Sequence, residues 1–251
     1  MNDLLKLLED RCSMRGPFDQ SRAIAKGDLL QILEAARWSP TAHNMQNFEI
    51  VVVDDQKLLN EIGTMQVQLS EEFLREHLHL LSFSEEELCR KKVGLLASML
   101  PPAIRDLAQP EKVGEAIPLH LLMSGCPVLL IVLYDATKRA PASEGDVLGL
   151  MSLGCVLQNM WLMAHSLGLG FQALSVLSSP PVEEAVKQLL AAPGHMKVAF
   201  AVRLGHPVMS MPYLRVRREV AEFTHRNHFG NTSFDQSHRQ LDRPTAESIH
   251  V

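Results

Sequence analysis

The chain has 251 residues, 46% of them hydrophobic and 21% charged, which is enough to bury a full core and ordinary for a soluble domain. Its net charge of −5, with no basic stripe or basic tail, argues against a general nucleic-acid binder. Four cysteines, at 12, 89, 126 and 155, form no C-x-x-C pair, so reduced thiols are expected and not a disulfide framework or a zinc site.

Residues 3–10 read as a short amphipathic helix leading into an extended segment at 11–18. The acids there, and the lack of a signal-peptide apolar core, lead to the expectation of a cytoplasmic protein. A second helix is expected over 27–38, started by Gly27-Asp28 and carrying Leu29, Leu30, Ile32, Leu33, Ala35 and Ala36. After it comes Ser39-Pro-Thr-Ala-His-Asn44-Met-Gln46, a polar loop before the strand 48–53. Such loops are ordinarily plain turns, and only their company makes them informative. Asp54-Asp55 starts a further helix running to about Met65.

Residues 66–118 change character, with acid- and Leu-rich helical text and then Pro101-Pro102 and a mixed loop. A mostly helical insertion or cap at about 66–120 is expected on a core domain of 1–229. The segment 126–134 is a continuous apolar run, as in a strand buried on both faces. From Val147 to Gly170 there is no Asp, Glu, Lys or Arg, a stretch long enough to span a membrane. Ser152, Asn159 and Ser166 recur every seven residues beside Gln158 and His165, which favours a central protein helix with a narrow polar stripe over a lipid-facing one. Asp146 stands at its N-cap position. A strand at 171–176, a helix at 181–191 and a strand at 197–204 follow, closed by the turn Gly205-His-Pro207. Residues 230–251 read as a polar tail or a partner-embracing arm. The pattern is mixed α and β around one sheet.

Several motifs fail on context. Gly168-Leu-Gly170-Phe-Gln-Ala173 has the letters of the dinucleotide fingerprint but follows a helix and leads into a strand, so its glycines read as helix C-cap residues. Gly149-Leu-Met-Ser152-Leu-Gly154 is one residue too long for a nucleophile elbow and lies within a helix. His77, His79, His225 and His228 lack carboxylate or thiolate partners at metal spacing. The arginines are more informative. Arg11, Ser13 and Arg15 alternate, so in an extended segment they share one face, and Arg215 and Arg217 do likewise. Single surface arginines are usually just solvated, whereas two such pairs and a hydroxyl suit one anionic ligand.

Four motifs in this order resemble the nitroreductase family of FMN-dependent oxidoreductases. Arg11-Cys-Ser13-Met-Arg15 resembles its R-x-S-x-[RK] opening, and Ser39 to Gln46 its [AS]-P-S-x-x-N-x-Q loop. Ser152 to Gly170 resembles its central helix. Leu204-Gly-His-Pro207 with Arg215-x-Arg217 and His225-Arg-Asn227 resembles its C-terminal block. The resemblance implies an α+β fold, a central mostly antiparallel sheet surrounded by helices, and an intertwined homodimer holding FMN at each of two interface sites.

By position, Arg11, Cys12, Ser13 and Arg15 would serve the phosphate and the pyrimidine edge of the flavin, and Arg215 and Arg217 would complete the phosphate grip. Pro40, Thr41, Ala42 and Asn44 would reach the flavin from the other subunit, while Leu174, Ser175 and Val176 would line its ring. Cys12 replaces a commonly basic residue, and Ser175 stands where some members carry an acid. The implied reaction is ping-pong hydride transfer from NADH or NADPH through the flavin to a nitroaromatic, quinone or similar acceptor, with no catalytic side chain, metal, membrane or nucleic acid. Reductive dehalogenation, flavin destruction and non-catalytic flavin binding are the alternatives.

Overall fold

The computed structural model describes residues 2–68, 70–96, 98, 100, 105, 114–123, 125–143, 145–209 and 214–232. The expectations for the tail beyond 232 and for much of 97–113 lie outside the described residues.

The apolar run at 128–135 forms strand β4 (Val128–Asp135), buried at every position. It lies inside a four-stranded antiparallel sheet with β1 (Phe48–Val53), β6 (Met196–Gly205) and β5 (Gly170–Leu174), in the order β1-β4-β6-β5. Because successive side chains point to opposite faces, β4 contributes Leu129, Ile131 and Leu133 to one core and Leu130, Val132 and Tyr134 to the other. The first core is covered by α3 (Gln56–Thr64), α6 (His120–Met123) and α8 (Pro180–Leu189) through Leu59, Ile62, Met123, Val182 and Val186. The second is covered by α2 (Lys26–Arg37) and the central helix α7 (Val147–Ser166) through Ile32, Ala36, Leu153, Val156 and Met160. The short α1 (Asp3–Asp10) packs beside α7 and is capped by Asn2, whose side chain accepts from the Leu4 N–H at 2.9 Å.

The α+β class and the antiparallel sheet match the expectation, and three local features differ. The inserted segment begins and ends in a second sheet, β2 (Gln66–Gln68) paired antiparallel with β3 (Ala116–Pro118), so the chain has more than the single expected sheet. Within it lie α4 (Glu71–Leu81) and α5 (Glu85–Lys91). The strand expected over 171–176 stops at Leu174, because Val176–Ser178 turn into a 3-10 helix. Asp146 takes the N-cap position of α7 without a capping bond, since its carboxylate accepts the Tyr134 hydroxyl instead.

Helix α7 is long and apolar enough to cross a membrane, with a mean hydropathy of 1.5. One of its faces nevertheless forms the core, while Val147, Leu150 and Met151 are exposed.

Candidate functional site

The N-terminal segment lies across the ends of β5 and β6. Met14, Gly16 and Phe18 are buried, and Arg11, Ser13 and Arg15 are half-buried at the alternate positions, as extended backbone requires. The Met14 N–H donates to Phe171 O at 2.9 Å, the Asp19 N–H donates to His206 O at 2.9 Å, and Phe18 bridges to Pro207. Two glycines make room for Phe18: a Cβ at either Gly170 or Gly205 would lie 2.5 Å from its side chain. Gly170 is therefore a close-approach residue and not a helix cap. Gly168, at φ +70, does end the helix in the left-handed conformation expected of it.

Arg203, which is 1% exposed, fastens the same segment. It donates to Gly16 O and, at 3.2 Å, to Leu122 O, and its guanidinium lies 4.4 Å from the Phe18 ring centroid. A buried cation bonded to backbone carbonyls in this way holds two chain segments to the sheet.

Beyond this staple a cationic cluster forms around the C-terminal end of α7. The Arg11 guanidinium lies 4.1 Å from the Trp161 ring centroid. Trp161 stacks on Phe171 at 5.1 Å and donates its indole N–H to Cys12 O at 3.1 Å. Arg215 donates to Glu9 O and, at 2.6 Å, to Asp10 O, and lies 3.8 Å from the Asp10 carboxylate. Burial, and then Arg217 and Arg215, hold the Arg11 pKa below its ordinary value, with Cys12 acting the other way. His165 is also lowered, by burial first and then by Arg215 and Arg11, against the opposing pull of Asp10. A cavity of about 460 Å³ shares Cys12 and His165 with this cluster and is also lined by Arg22 and His206. Arg11, Cys12, Arg215 and Arg217 are thus brought together, with Ser13 and Arg15 continuing along the Arg11 side of the segment.

The polar loop is built differently. The Ser39 hydroxyl donates to Ala35 O at 3.2 Å and accepts the Asn159 amide at 2.9 Å. The Ala42 N–H donates to Ser152 Oγ at 3.0 Å, and that hydroxyl donates to Leu148 O at 2.7 Å. The seven-residue stripe therefore anchors the chain's own loop at Ser152 and Asn159, while Ser166 only returns to Met163 O. His43, Asn44 and Gln46 have φ of 52, 51 and 44, left-handed values that cost most non-glycine residues about 1–3 kcal/mol each. Pro40, His43 and Asn44 are exposed, and Thr41 and Ala42 half-buried.

Leu174 is buried at the end of β5, Ser175 is exposed and Val176 is half-buried. Ala42 is held at Ser152, nine positions and roughly 14 Å along the helix from the Trp161 that carries Arg11, whereas Ser39 is held at Asn159, within a turn of it. Trp161, His165, Arg203 and the anchoring role of Asn159 escaped the sequence reading. The available signal was a polar stripe on a helix following a loop rich in unpaired polar groups.

The nitroreductase family model matches residues 8–206. Among solved structures, a nitroreductase with bound FMN from Desulfitobacterium hafniense DCB-2 is 22% identical, with a TM-score of 0.55 over 86% of this chain and 95% of that one. A nitroreductase with bound FMN from Bacteroides fragilis NCTC 9343 is 20% identical, with a TM-score of 0.57 over 89% and 98%. An FMN-dependent nitroreductase from Clostridium difficile R20291 is 18% identical, with a TM-score of 0.57 over 90% and 99%. These likenesses establish the fold. A comparison with curated proteins returns no match.

Proposed function

The chain belongs to the nitroreductase family, and on that premise we propose that it is a cytoplasmic, homodimeric, FMN-dependent NAD(P)H oxidoreductase acting on a small oxidised acceptor. FMN, held by the residues named below, would supply ping-pong hydride-transfer chemistry between NADH or NADPH and a nitroaromatic, quinone or similar acceptor. The observation that carries this reading is the gathering of Arg11, Arg215 and Arg217, where burial first and then the neighbouring guanidiniums hold the Arg11 pKa below its ordinary value.

That donor set fits a phosphate dianion. Guanidiniums offer planar forks of N–H donors, and each charge-assisted bond is worth about 1.5–3 kcal/mol. Binding an anion also relieves the repulsion among the three cations. The Ser13 hydroxyl and Arg15, with the neighbouring Cys12, extend the donor surface from the phosphate toward the ring's pyrimidine edge. Leu174 and Val176 offer apolar atoms to one ring face, and Ser175 a small hydroxyl with no charge. Pro40, Thr41, Ala42 and Asn44 come from the second copy, as the family resemblance implies; within one chain Ala42 is held at Ser152, nine positions and roughly 14 Å along α7 from Trp161. Their side chains position the ring and exclude water from it. The helices of the 66–120 insertion cap the 1–229 core near this site and set acceptor choice, and the 230–251 tail embraces the partner. No side chain is assigned as a proton donor.

The test is direct. Purified protein should take up FMN with quenching of its fluorescence, and anaerobic NADH or NADPH should bleach the bound flavin. Reoxidation by a nitroaromatic and by a quinone then ranks the acceptors. Protein that takes up no FMN, or bound FMN that neither nucleotide bleaches, would overturn the reading. Bound FMN that bleaches no faster than free flavin would point to a binding protein without turnover.

A further inference from the structure

The inserted helices and the strap carrying Arg215 and Arg217 meet at one ion pair. Helix α5 opens with a reciprocal box: the Glu87 N–H donates to Ser84 Oγ at 3.2 Å, and the Ser84 N–H donates to Glu87 Oε2 at 3.1 Å. It ends at Lys92, which is left-handed at φ 57 and returns its N–H to Leu88 O at 2.7 Å. The Lys92 Nζ then lies 2.8 and 2.7 Å from the two carboxylate oxygens of Glu222. Its neighbour Lys91 is engaged elsewhere, with Nζ 3.8 Å from the Phe83 ring centroid.

Glu222 is the right residue to transmit that contact. It closes the 3-10 turn Val220–Glu222, and its Oε2 also accepts the Glu219 N–H at 2.6 Å, so one carboxylate binds both Lys92 and the strap's own backbone. At the strap's other end, Arg215 is bonded to Glu9 O and Asp10 O. Arg217 stands between these two tethers. Residues 214–219 between them have no helix or strand, so their course depends on the ends.

We propose that Lys92 and Glu222 are positioning residues, forming a latch through which the inserted helices hold Arg215 and Arg217 in place for an anionic ligand; the ligand's identity as FMN rests on the function proposed above. The insertion then has a second role besides covering the site, since flavin retention depends on it. The pair is part-exposed, with the Lys92 side chain at 25% and Glu222 at 45%, so its effect is moderate.

Lys92→Gln and Glu222→Gln should each raise the FMN dissociation constant about fivefold, the upper end for such a pair. Lys92→Glu alone should lose more, and adding Glu222→Lys should recover part of that loss, as direct ion pairing requires. In flavin-free protein, hydrogen exchange of the peptide spanning 214–223 should speed up in Lys92→Gln. Unchanged FMN dissociation together with unchanged exchange would overturn the latch. Wild-type protein that takes up no FMN would sink the flavin reading, and the exchange measurement alone would then decide the latch.

Discussion

Along the middle of α7 the polar groups of the 39–46 loop are met by the chain's own Ser152 and Asn159. At the C-terminal end three guanidiniums gather, with burial and mutual repulsion lowering the pKa of Arg11. The first half-site is neutral and satisfied without a ligand, so it holds strained residues in a fixed shape. The second gathers like charge that Asp10, 3.8 Å from Arg215, offsets in part, and in the proposed function an anion completes it. One helix thus carries a shaped loop along its length and an electrostatic sink at its end, and the proposed function draws the loop from a second copy.

The largest expected break is Arg203→Met. It should leave Gly16 O and Leu122 O without their donor, cost about 3 kcal/mol in urea unfolding, and damage the arginine side alone. A loss below about 1 kcal/mol would remove the staple from the account. Arg217→Ala should weaken FMN binding by about one to two decades, with the thermal midpoint of flavin-free protein unchanged or raised as repulsion on Arg11 is relieved. A lower midpoint with unchanged FMN affinity would contradict this.

Coexpression tests the division between copies. Asn44→Gly keeps the left-handed backbone while removing the amide, and should lower FMN binding by itself. Combined with Arg217→Ala in the other chain, random pairing should restore about a quarter of the sites. No restoration would place both halves in one chain. Ser152→Ala should cost about 1 kcal/mol, since it leaves the part-buried Ala42 N–H without its acceptor.

The smallest effect concerns His165, whose pKa is lowered from 6.5 chiefly by burial. Below that value the unfolded chain takes a proton that the folded chain resists, so stability should fall as pH falls through this window. His165→Gln should flatten that slope, as read from urea midpoints across pH.

Local pattern carried much of the fold. The expected strand at 48–53 coincides with Phe48–Val53, and the start of the central helix at Val147 is met to the residue. The alternation of Arg11, Ser13 and Arg15 is mirrored by buried Met14, Gly16 and Phe18. Apart from the strand that stops at Leu174, the misses are long-range. Nothing near Gln66 announces its pairing with Pro118, nothing near Lys92 announces Glu222, and Asp146 looks like a cap until Tyr134 arrives from β4. Gly170 looked like a helix end because its actual constraint, the Phe18 ring, lies 152 positions away in the chain.

The amino-acid sequence by itself determined which residues are helical, which strand is buried on both faces, and which side chains carry cationic and amide chemistry. These follow from spacing and composition, which act over a few residues. Only the tertiary structure decided that Arg11, Arg215 and Arg217 share one place and that the 39–46 loop is anchored on Ser152 and Asn159 of α7. Those facts depend on Arg203, Trp161 and the length of α7, whose contacts join segments that are distant in the chain.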